Sequence, residues 1–275
     1  MADDLDALVA AIAGSANYRN VCEQCVRAIG GRELLRRTTL KDAIKATKNR
    51  LHQIAGAYLA TKMPYAAWLD ELAPLTGAGG DPAALRDKCL QIMGYHASTR
   101  ERLPILSEFY RDIFAALPPV RTVVDVACGL NPLALPWMPL AEGAAYYAYD
   151  LFTDMMAFIG RWLDLAGVTG EARAIDLTVA CPPVTADLAL VLKVLPCLDQ
   201  LDRAAALRLL DGLQAARIVV SFPVRSLGGR AKGMTENYAA RFSELVADRD
   251  WLLTRLDFAT ELVFIISKQE PGINC

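Results

Sequence analysis

The sequence predicts an α/β protein with a seven-stranded, mainly parallel sheet that ends in a β-hairpin, preceded by an N-terminal α-helical domain. Apolar residues recur with a helical period up to about residue 103, whereas short β-branched runs alternate with helical stretches from Thr122 onward. Near the C-terminus two strand-like runs follow each other almost directly. We therefore assign a helical domain to 1–103 and an α/β domain to 104–275, a division that 275 residues allow.

The clearest N-terminal helix has an apolar stripe and a basic face. The stripe comprises Leu40, Ile44, Thr47, Leu51, Ile54 and Tyr58. Basic residues at spacings of four, four and three predict a second, adjacent face of the same helix, formed by Arg37, Lys41, Lys45 and Lys48. The segment from Gly77 to Pro82 is predicted to be a loop between helices.

Charge is unevenly distributed along the chain. The formal net charge is −2, yet the segment from Arg27 to Arg50 holds eight basic and two acidic residues. Such a patch, with Arg50 at its end, favours a polyanionic partner. A solvated helix face is the alternative, and composition alone leaves both open.

Seven strands are predicted in the second domain. They cover residues 122–128, 144–150, 172–177, 187–195, 216–222, 251–259 and 261–268. The first five alternate with helical stretches, which is typical of parallel strands joined by crossovers. The last two are too close for a crossover and must form an antiparallel hairpin.

Several function classes are disfavoured. The acidic start differs from a secretory signal, and no apolar run reaches the roughly 18 residues of a membrane span, so we expect a cytoplasmic protein that does not use a membrane. Cys22 and Cys25 form a CxxC motif that could be half of a zinc site, but no second CxxC or paired histidine completes it, so we expect reduced thiols and no metal. With only His52 and His96 in the chain, histidine-based nucleophilic chemistry is also disfavoured.

A nucleotide-type site is predicted where the first three strands end. Gly129 lies in the turn after the first strand, and its isolation disfavours a pyrophosphate fingerprint, which requires three glycines. Asp150 ends the second strand, where a carboxylate can accept hydrogen bonds from ribose hydroxyls. Asp176 and Leu177 end the third, suited to the edge and face of an adenine. Each acid could instead be a helix N-cap.

Four segments resemble the aminoglycoside-resistance 16S rRNA (guanine-1405-N7) methyltransferases. They are HASTRERL at 96–103, DVACGLNP at 125–132, LKVLPCL at 192–198 and SFPVRSLGGRAKGMTENY at 221–238. The resemblance extends from about Tyr18 to Lys268. It implies a Rossmann-like methyltransferase fold with S-adenosyl-L-methionine as the cofactor. The implied partner is the 30S ribosomal subunit with its 16S rRNA, and no obligate protein partner is expected.

The resemblance also implies which residues bind the cofactor. These are Tyr58, His96, Ser98, Arg102, Ala127, Gly129, Asp150, Leu151, Asp176, Leu177 and Leu192. Arg102 is expected to bind the methionine carboxylate with both arms of its guanidinium. The alternative for Arg102 is a surface salt bridge to Glu101 or Glu108. The alternative for Tyr58 is packing in the core of its helix, since it ends the apolar stripe.

Methylation of guanine N7 removes no proton, so no acid or base catalyst is expected and catalysis is expected to come from positioning. The basic, glycine-rich loop after the fifth strand is expected to hold the target, through Arg225, Arg230, Lys232, Met234, Asn237 and Tyr238. Helix packing is the alternative for Tyr238 and Phe242.

Docking to rRNA is assigned to Arg37, Lys41, Lys45, Lys48 and Arg50. The competing functions are methylation of another decoding-site base or of a small antibiotic, and cofactor or ribosome binding without catalysis.

Overall fold

The computed structural model describes residues 2–53, 63–77, 79–201, 204–224 and 234–268. Helices occupy most of the chain before the sheet, as the periodicity predicts. Their bounds are α1 Ala2–Ala13, α2 Glu23–Arg36, α3 Leu40–Leu51, α4 Tyr65–Leu72, α5 Pro82–Met93, α6 Ala97–Arg102 and α7 Leu106–Ala115. The predicted loop precedes α5, whose first turn is capped by the Asp81 carboxylate accepting from Ala83 N at 2.9 Å.

Helix α3 has the predicted apolar stripe but a shorter basic face than predicted. Thr47 and Leu51 are buried, and Thr39 caps the helix by accepting from Asp42 N. Arg37 was wrongly placed on this helix: it ends α2 in an extended conformation and donates to Glu33. The cap at Thr39 is the physical reason, because it starts a new helix two residues after Arg37. Ile54 and Tyr58 lie outside the described residues.

The described residues contain one seven-stranded sheet in the order β3-β2-β1-β4-β5-β7-β6. The strands are β1 Thr122–Val126, β2 Ala145–Asp150, β3 Thr169–Ala174, β4 Ala186–Leu192, β5 Ala215–Pro223, β6 Trp251–Asp257 and β7 Glu261–Lys268. The first five are parallel, while β7 pairs antiparallel with both β5 and β6. The predicted terminal hairpin is therefore confirmed.

The third strand starts and ends three residues earlier than the sequence predicts. Its side chains are mostly exposed at the edge of the sheet, so the run TGEARA lacks the apolar character by which strands are recognised. Gly170 has a φ of +140°, and a Cβ there would lie 1.9 Å from Tyr146 O. Asp176 consequently lies in the loop after β3 and not at its end.

Helices cover both faces of the sheet. One core cluster joins α1, α2 and α7 to Val123 and its face, and the other joins the C-terminal helices to Val124 and the opposite face. The C-terminal helices of this second cluster are α9 Leu195–Leu201, α10 Ala205–Gly212 and α11 Met234–Leu245, whereas α8 Thr153–Leu165 packs in the first cluster. The N-terminal helices thus share a core with the sheet, and the boundary at residue 103 stays a prediction. Among the described residues, no helix combines the length and apolar character needed to cross a membrane.

Candidate active site

A cleft opens at the carboxyl ends of β1, β2 and β4, where a doubly wound sheet binds its ligands. Eight of the residues predicted from sequence to bind the cofactor line it. They are His96, Ser98, Ala127, Asp150, Leu151, Asp176, Leu177 and Leu192. The structure therefore brings together most of the predicted binding residues that it describes.

The turn after β1 forms the near wall of the cleft. Ala127 and Gly129 have positive φ values of 51° and 53°. A Cβ at Gly129 would lie 2.7 Å from His96 Cε1, closer than real Cβ contacts allow. Gly129 itself does not line the cleft: it lets the turn pack against the His96 ring.

Asp150 ends β2 as predicted and is held by the backbone. Its carboxylate accepts from Gly129 N at 2.9 Å and from Leu151 N at 2.7 Å. Burial raises the pKa of Asp150, and the hydrogen bonds from Gly129, Leu151 and Phe152 oppose that rise. The helix-cap alternative does not describe Asp150, because Phe152 is the capping residue of α8 and no side chain caps that helix.

Asp176 is buried in the loop that follows β3. Its Oδ1 accepts from the backbone N–H and the hydroxyl of Thr178, at 2.9 and 2.7 Å. Within the described residues, its other oxygen, Oδ2, is buried without a hydrogen-bond partner. A buried acceptor without a donor is costly, so this oxygen suits a ligand that donates an N–H.

His96 and Lys193 also line the cleft. Burial, together with the charges of Lys193 and Arg102, lowers the pKa of His96 to about 4, so the ring is neutral at pH 7. Lys193 follows β4 with a φ of 59°, and its ammonium donates to Ser98 O at 2.7 Å and to Glu101 at 3.0 Å. These bonds attach α6 to the end of β4.

Arg102 does not line the cleft. The sequence predicts a guanidinium that is free to bind a carboxylate, but in the structure the guanidinium is already engaged. Its Nη1 donates to Asn131 Oδ1 at 2.8 Å, and its Nη2 to Glu261 at 3.0 Å. Only 1% of its side chain is exposed. The alternative, a surface salt bridge to Glu101 or Glu108, is wrong, because the structure pairs Arg102 with buried Glu261. Cofactor binding by Arg102 stays a prediction.

Asp125 lies beneath the cleft and belongs to the same buried polar network. Its Oδ2 accepts from Tyr146 at 2.6 Å and from Asn131 at 2.9 Å. Burial raises the pKa of Asp125 to about 7, despite these hydrogen bonds. Asn131 therefore links Asp125 to Arg102.

The predicted target-holding residues are only partly described. Arg225, Arg230 and Lys232 lie outside the described residues, as does Tyr58 of the cofactor set. Met234 is half-buried at the start of α11, and Asn237 is exposed on its first turn. Tyr238 stacks on Phe222 with ring centroids 5.1 Å apart, and Phe242 packs against the same ring. The packing alternative thus describes both rings.

The docking residues lie mostly on the surface. Arg37, Lys41 and Lys45 are exposed, whereas Lys48 and Arg50 are half-buried. Among the described partners, Arg37 pairs with Glu33 and Arg50 donates to Gln53.

Sequence reasoning missed part of the cleft lining. Phe152, Ile175, Lys193, Cys197 and Cys25 line it as well. A lysine within the apolar run DLALVLKVL was the one available signal, since a charged residue there needs a partner. Cys25 gave no signal in the sequence, because it reaches the cleft from helix α2, more than 100 residues before Asp150 in the chain.

Comparison with known proteins supplies the family. A family model described as ribosomal RNA methyltransferase (FmrO) matches residues 14–265. The chain belongs to this family of ribosomal RNA methyltransferases. Curated relatives named 16S rRNA (guanine(1405)-N(7))-methyltransferase include those of Micromonospora rosea, 40% identical over 97% of both chains, and of Serratia marcescens, 37% identical over 96% of this chain and 98% of the relative.

Solved structures of similar methyltransferases confirm the fold of this family. The 16S rRNA methyltransferase RmtF, solved with S-adenosyl-L-homocysteine, has a TM-score of 0.80 and 32% identity, covering 98% of this chain and 100% of that one. The 16S rRNA methylase RmtB has a TM-score of 0.78 and 31% identity, covering 96% and 98%. The Rossmann-like methyltransferase fold predicted from sequence is confirmed.

Proposed function

We propose that the protein transfers a methyl group from S-adenosyl-L-methionine to N7 of guanine-1405 in the 16S rRNA of the 30S subunit. The observation that carries the proposal is similarity over nearly the full chain to enzymes of this one specificity. The cleft of this chain supports it, since the predicted acids Asp150 and Asp176 both line the carboxyl edge of the sheet. The expected physiological result is resistance to aminoglycosides.

The residues of the cleft fit this cofactor. In this proposal Asp150 would accept from ribose hydroxyls, and the Oδ2 of Asp176, which has no hydrogen-bond partner among the described residues, would accept from the amino group of an adenine. Ile175, Leu177 and Leu198 supply apolar surface for the adenine ring. His96 and Ser98 would hold the methionine end, and Arg102 would reach it only by releasing Glu261.

The chain needs to supply orientation and no base. Bound cofactor supplies a methyl group on a positively charged sulfur, and guanine N7 offers a lone pair without a proton to remove. Because no proton is transferred, neutral His96 and buried Asp150 can keep the same hydrogen bonds throughout the reaction. The protein contributes by holding the reactants at attacking distance and excluding water.

Two separate surfaces are assigned to the RNA. The α3 surface of Lys41 and Lys45 would neutralise phosphates, which gives affinity without base selection. Met234 and Asn237 begin the helix that follows the predicted target loop. Because N7 faces the deep groove of an RNA helix, the guanine has to be displaced before it can reach the cleft.

Drug susceptibility of bacteria expressing the protein tests the proposal. Protection against gentamicin and kanamycin with unchanged susceptibility to apramycin is the expected profile. An Asp150→Ala variant expressed at the same level serves as control and should remove the protection. Protection that extends to apramycin would contradict guanine-1405 as the target, and no protection at normal expression would support a protein that binds without catalysis.

A further inference from the structure

Two cysteines lie against the cofactor cleft and take no part in the proposed reaction. Cys22 is the N-cap residue of α2, and Cys25 lies in its first turn; both are buried. The backbone N–H of Cys25 donates to Cys22 O at 3.1 Å, so the two residues lie at the ends of one tight turn, and the side chain of each thiol shifts the pKa of the other. The sulfur atoms are therefore neighbours.

The turn that carries the pair is compatible with a disulfide. A tight four-residue turn brings its end Cα atoms within about 7 Å of each other. Disulfides in proteins span Cα separations up to about 6.8 Å. The turn between Cys22 and Cys25 is therefore of the size that a disulfide can close after the two side chains rotate.

The two thiols differ in reactivity. The hydrogen bond from Cys25 lowers the pKa of Cys22, and the N-terminus of a 14-residue helix also favours a thiolate there. The same hydrogen bond and burial raise the pKa of Cys25 well above its ordinary value. Cys22 is thus the better nucleophile, and Cys25 is placed to attack it in turn.

The pair is also connected to the wall of the cleft. Cys25 lines the cleft directly. The backbone N–H of Cys22 donates to Leu151 O at 2.8 Å, and Val21 and Phe152 form an antiparallel bridge. Leu151 and Phe152 line the cleft next to Asp150. A change at the two sulfur atoms therefore alters the wall that holds the proposed ribose site.

We propose that Cys22 and Cys25 form an oxidation-sensitive site, which hydrogen peroxide converts to a disulfide with weaker cofactor binding. The inference rests on the cofactor assignment of the proposed function. Peroxide is the oxidant because both thiols are buried, so that a small molecule is needed to reach them, and Cys25 lies on the wall of the cleft. Since coupling between two sites is reciprocal, bound cofactor should in turn oppose oxidation.

The chemistry balances in two steps. The Cys22 thiolate attacks one peroxide oxygen, the O–O bond breaks, and the hydroxide that leaves takes a proton to become water. The Cys25 sulfur then attacks the resulting sulfenic acid, the S–O bond breaks, and the second hydroxide leaves as water with the Cys25 proton. Two thiols and one peroxide give one disulfide and two waters, with two electrons passing from sulfur to oxygen.

Calorimetric titration with S-adenosyl-L-homocysteine tests the inference on reduced and peroxide-treated protein. We expect oxidation to weaken binding about fivefold or more, in line with ordinary coupling between sites, and dithiothreitol to restore it. Peptide mass mapping should show a Cys22–Cys25 disulfide, formed more slowly when the ligand is bound. Absence of that disulfide, or equal affinities of the two states, would overturn the inference.

Cys22→Ser is the matched control, because it keeps the size of the side chain and the remaining thiols while preventing the disulfide. It should bind like reduced wild type and lose nothing on peroxide treatment. The same loss in this variant would assign the effect to another thiol and overturn the inference. If the variant does not fold, mapping on wild type still decides. Failure of reduced wild type to bind at all would contradict the cofactor site itself and, with it, the coupling.

Discussion

Asp150 is the residue whose contacts most directly connect the fold to the proposed cofactor site. Its carboxylate accepts from the turn after β1 and from its own following residue, so its position depends on two strands at once. Sequence analysis could place it, because a strand pattern fixes which residue ends β2. It could not place Glu261 as the partner of Arg102, since no local pattern joins residues 159 positions apart.

Replacing Asp150 tests its role in binding. We expect Asp150→Ala to weaken S-adenosyl-L-methionine binding by about 1–3 kcal/mol, because charge-assisted hydrogen bonds are lost. Asp187→Ala is a matched control: that carboxylate also accepts from two backbone N–H groups, of Arg121 and Thr122, but at the opposite end of the strands. Calorimetry that finds equal affinities for both variants would remove Asp150 from the site.

The protonation of His96 is a second residue-scale prediction. Burial lowers its pKa to about 4, so the ring should stay neutral from pH 5 to pH 8. Because an unfolded histidine titrates near 6.5, this group's contribution to stability is present above that value and is lost as pH falls towards 4. NMR titration can resolve it, since His52 is the only other histidine and is exposed. A His96 midpoint near 6.5 would contradict the buried, neutral ring.

At the scale of elements, the sequence predicts strands by runs of apolar residues and misplaces the strand that lacks such a run. Strands β1 and β4 are buried and were found within a few residues of their ends, whereas the exposed edge strand β3 was placed three residues too late. Arg37 shows the equivalent error for helices. The spacing of four between Arg37 and Lys41 continues the pattern of basic residues across the break between α2 and α3. The cap at Thr39 starts a new helix there, and the charge spacing does not reveal it.

Helix α3 should contribute affinity for the ribosome and little to cofactor binding. We expect Lys45→Glu to weaken 30S binding and to reduce the slope of its salt dependence by about one, as for a lost phosphate contact. Arg208→Glu makes the same charge change on α10, an element of the opposite face of the sheet. Equal losses in the two variants, or 30S binding insensitive to salt, would leave α3 as a solvated helix.

The buried ion pair between α6 and β7 should stabilise the arrangement of these elements. Burial acts to raise the pKa of Glu261, but the charges of Arg102 and Lys193 hold that pKa below its ordinary value. Glu261→Gln should lower the free energy of unfolding by about 3–5 kcal/mol, because two cations lose their buried partner. Asp211→Asn breaks an exposed pair with Arg249 and should cost less than about 1 kcal/mol. Urea unfolding that gives similar losses for both variants would contradict this account.

The whole molecule combines a cleft at the carboxyl ends of the central strands with N-terminal helices that share the core of the sheet. Sequence periodicity predicted the fold class and the hairpin, and strand ends predicted the acids Asp150 and Asp176 of the cleft, whereas the other predicted cleft residues came from the family resemblance. It did not predict how far the helical segment merges with the α/β core, since that depends on contacts between distant segments. One continuous core implies that a docking surface on the helices and the cleft keep a fixed relation.

Division of labour between docking and positioning is the prediction at this scale. Met234→Ala should retain cofactor binding and most 30S affinity while losing much of the methyl transfer, because a residue that positions the displaced base acts mainly in the transition state. Lys45→Glu should do the opposite. Single-turnover transfer and 30S affinity measured on the same variants separate the two effects, and equal turnover of Met234→Ala and wild type would contradict the positioning role.

Location of the methyl group tests the central claim most directly. 30S subunits incubated with the protein and S-adenosyl-L-methionine are treated with borohydride and aniline, which break the strand at N7-methylguanine, and the 16S rRNA is then mapped by primer extension. The account predicts new strand scission at guanine-1405, dependent on the cofactor and strongly reduced with Asp150→Ala. Scission at another guanine, or none with protein that binds both cofactor and 30S, would contradict it.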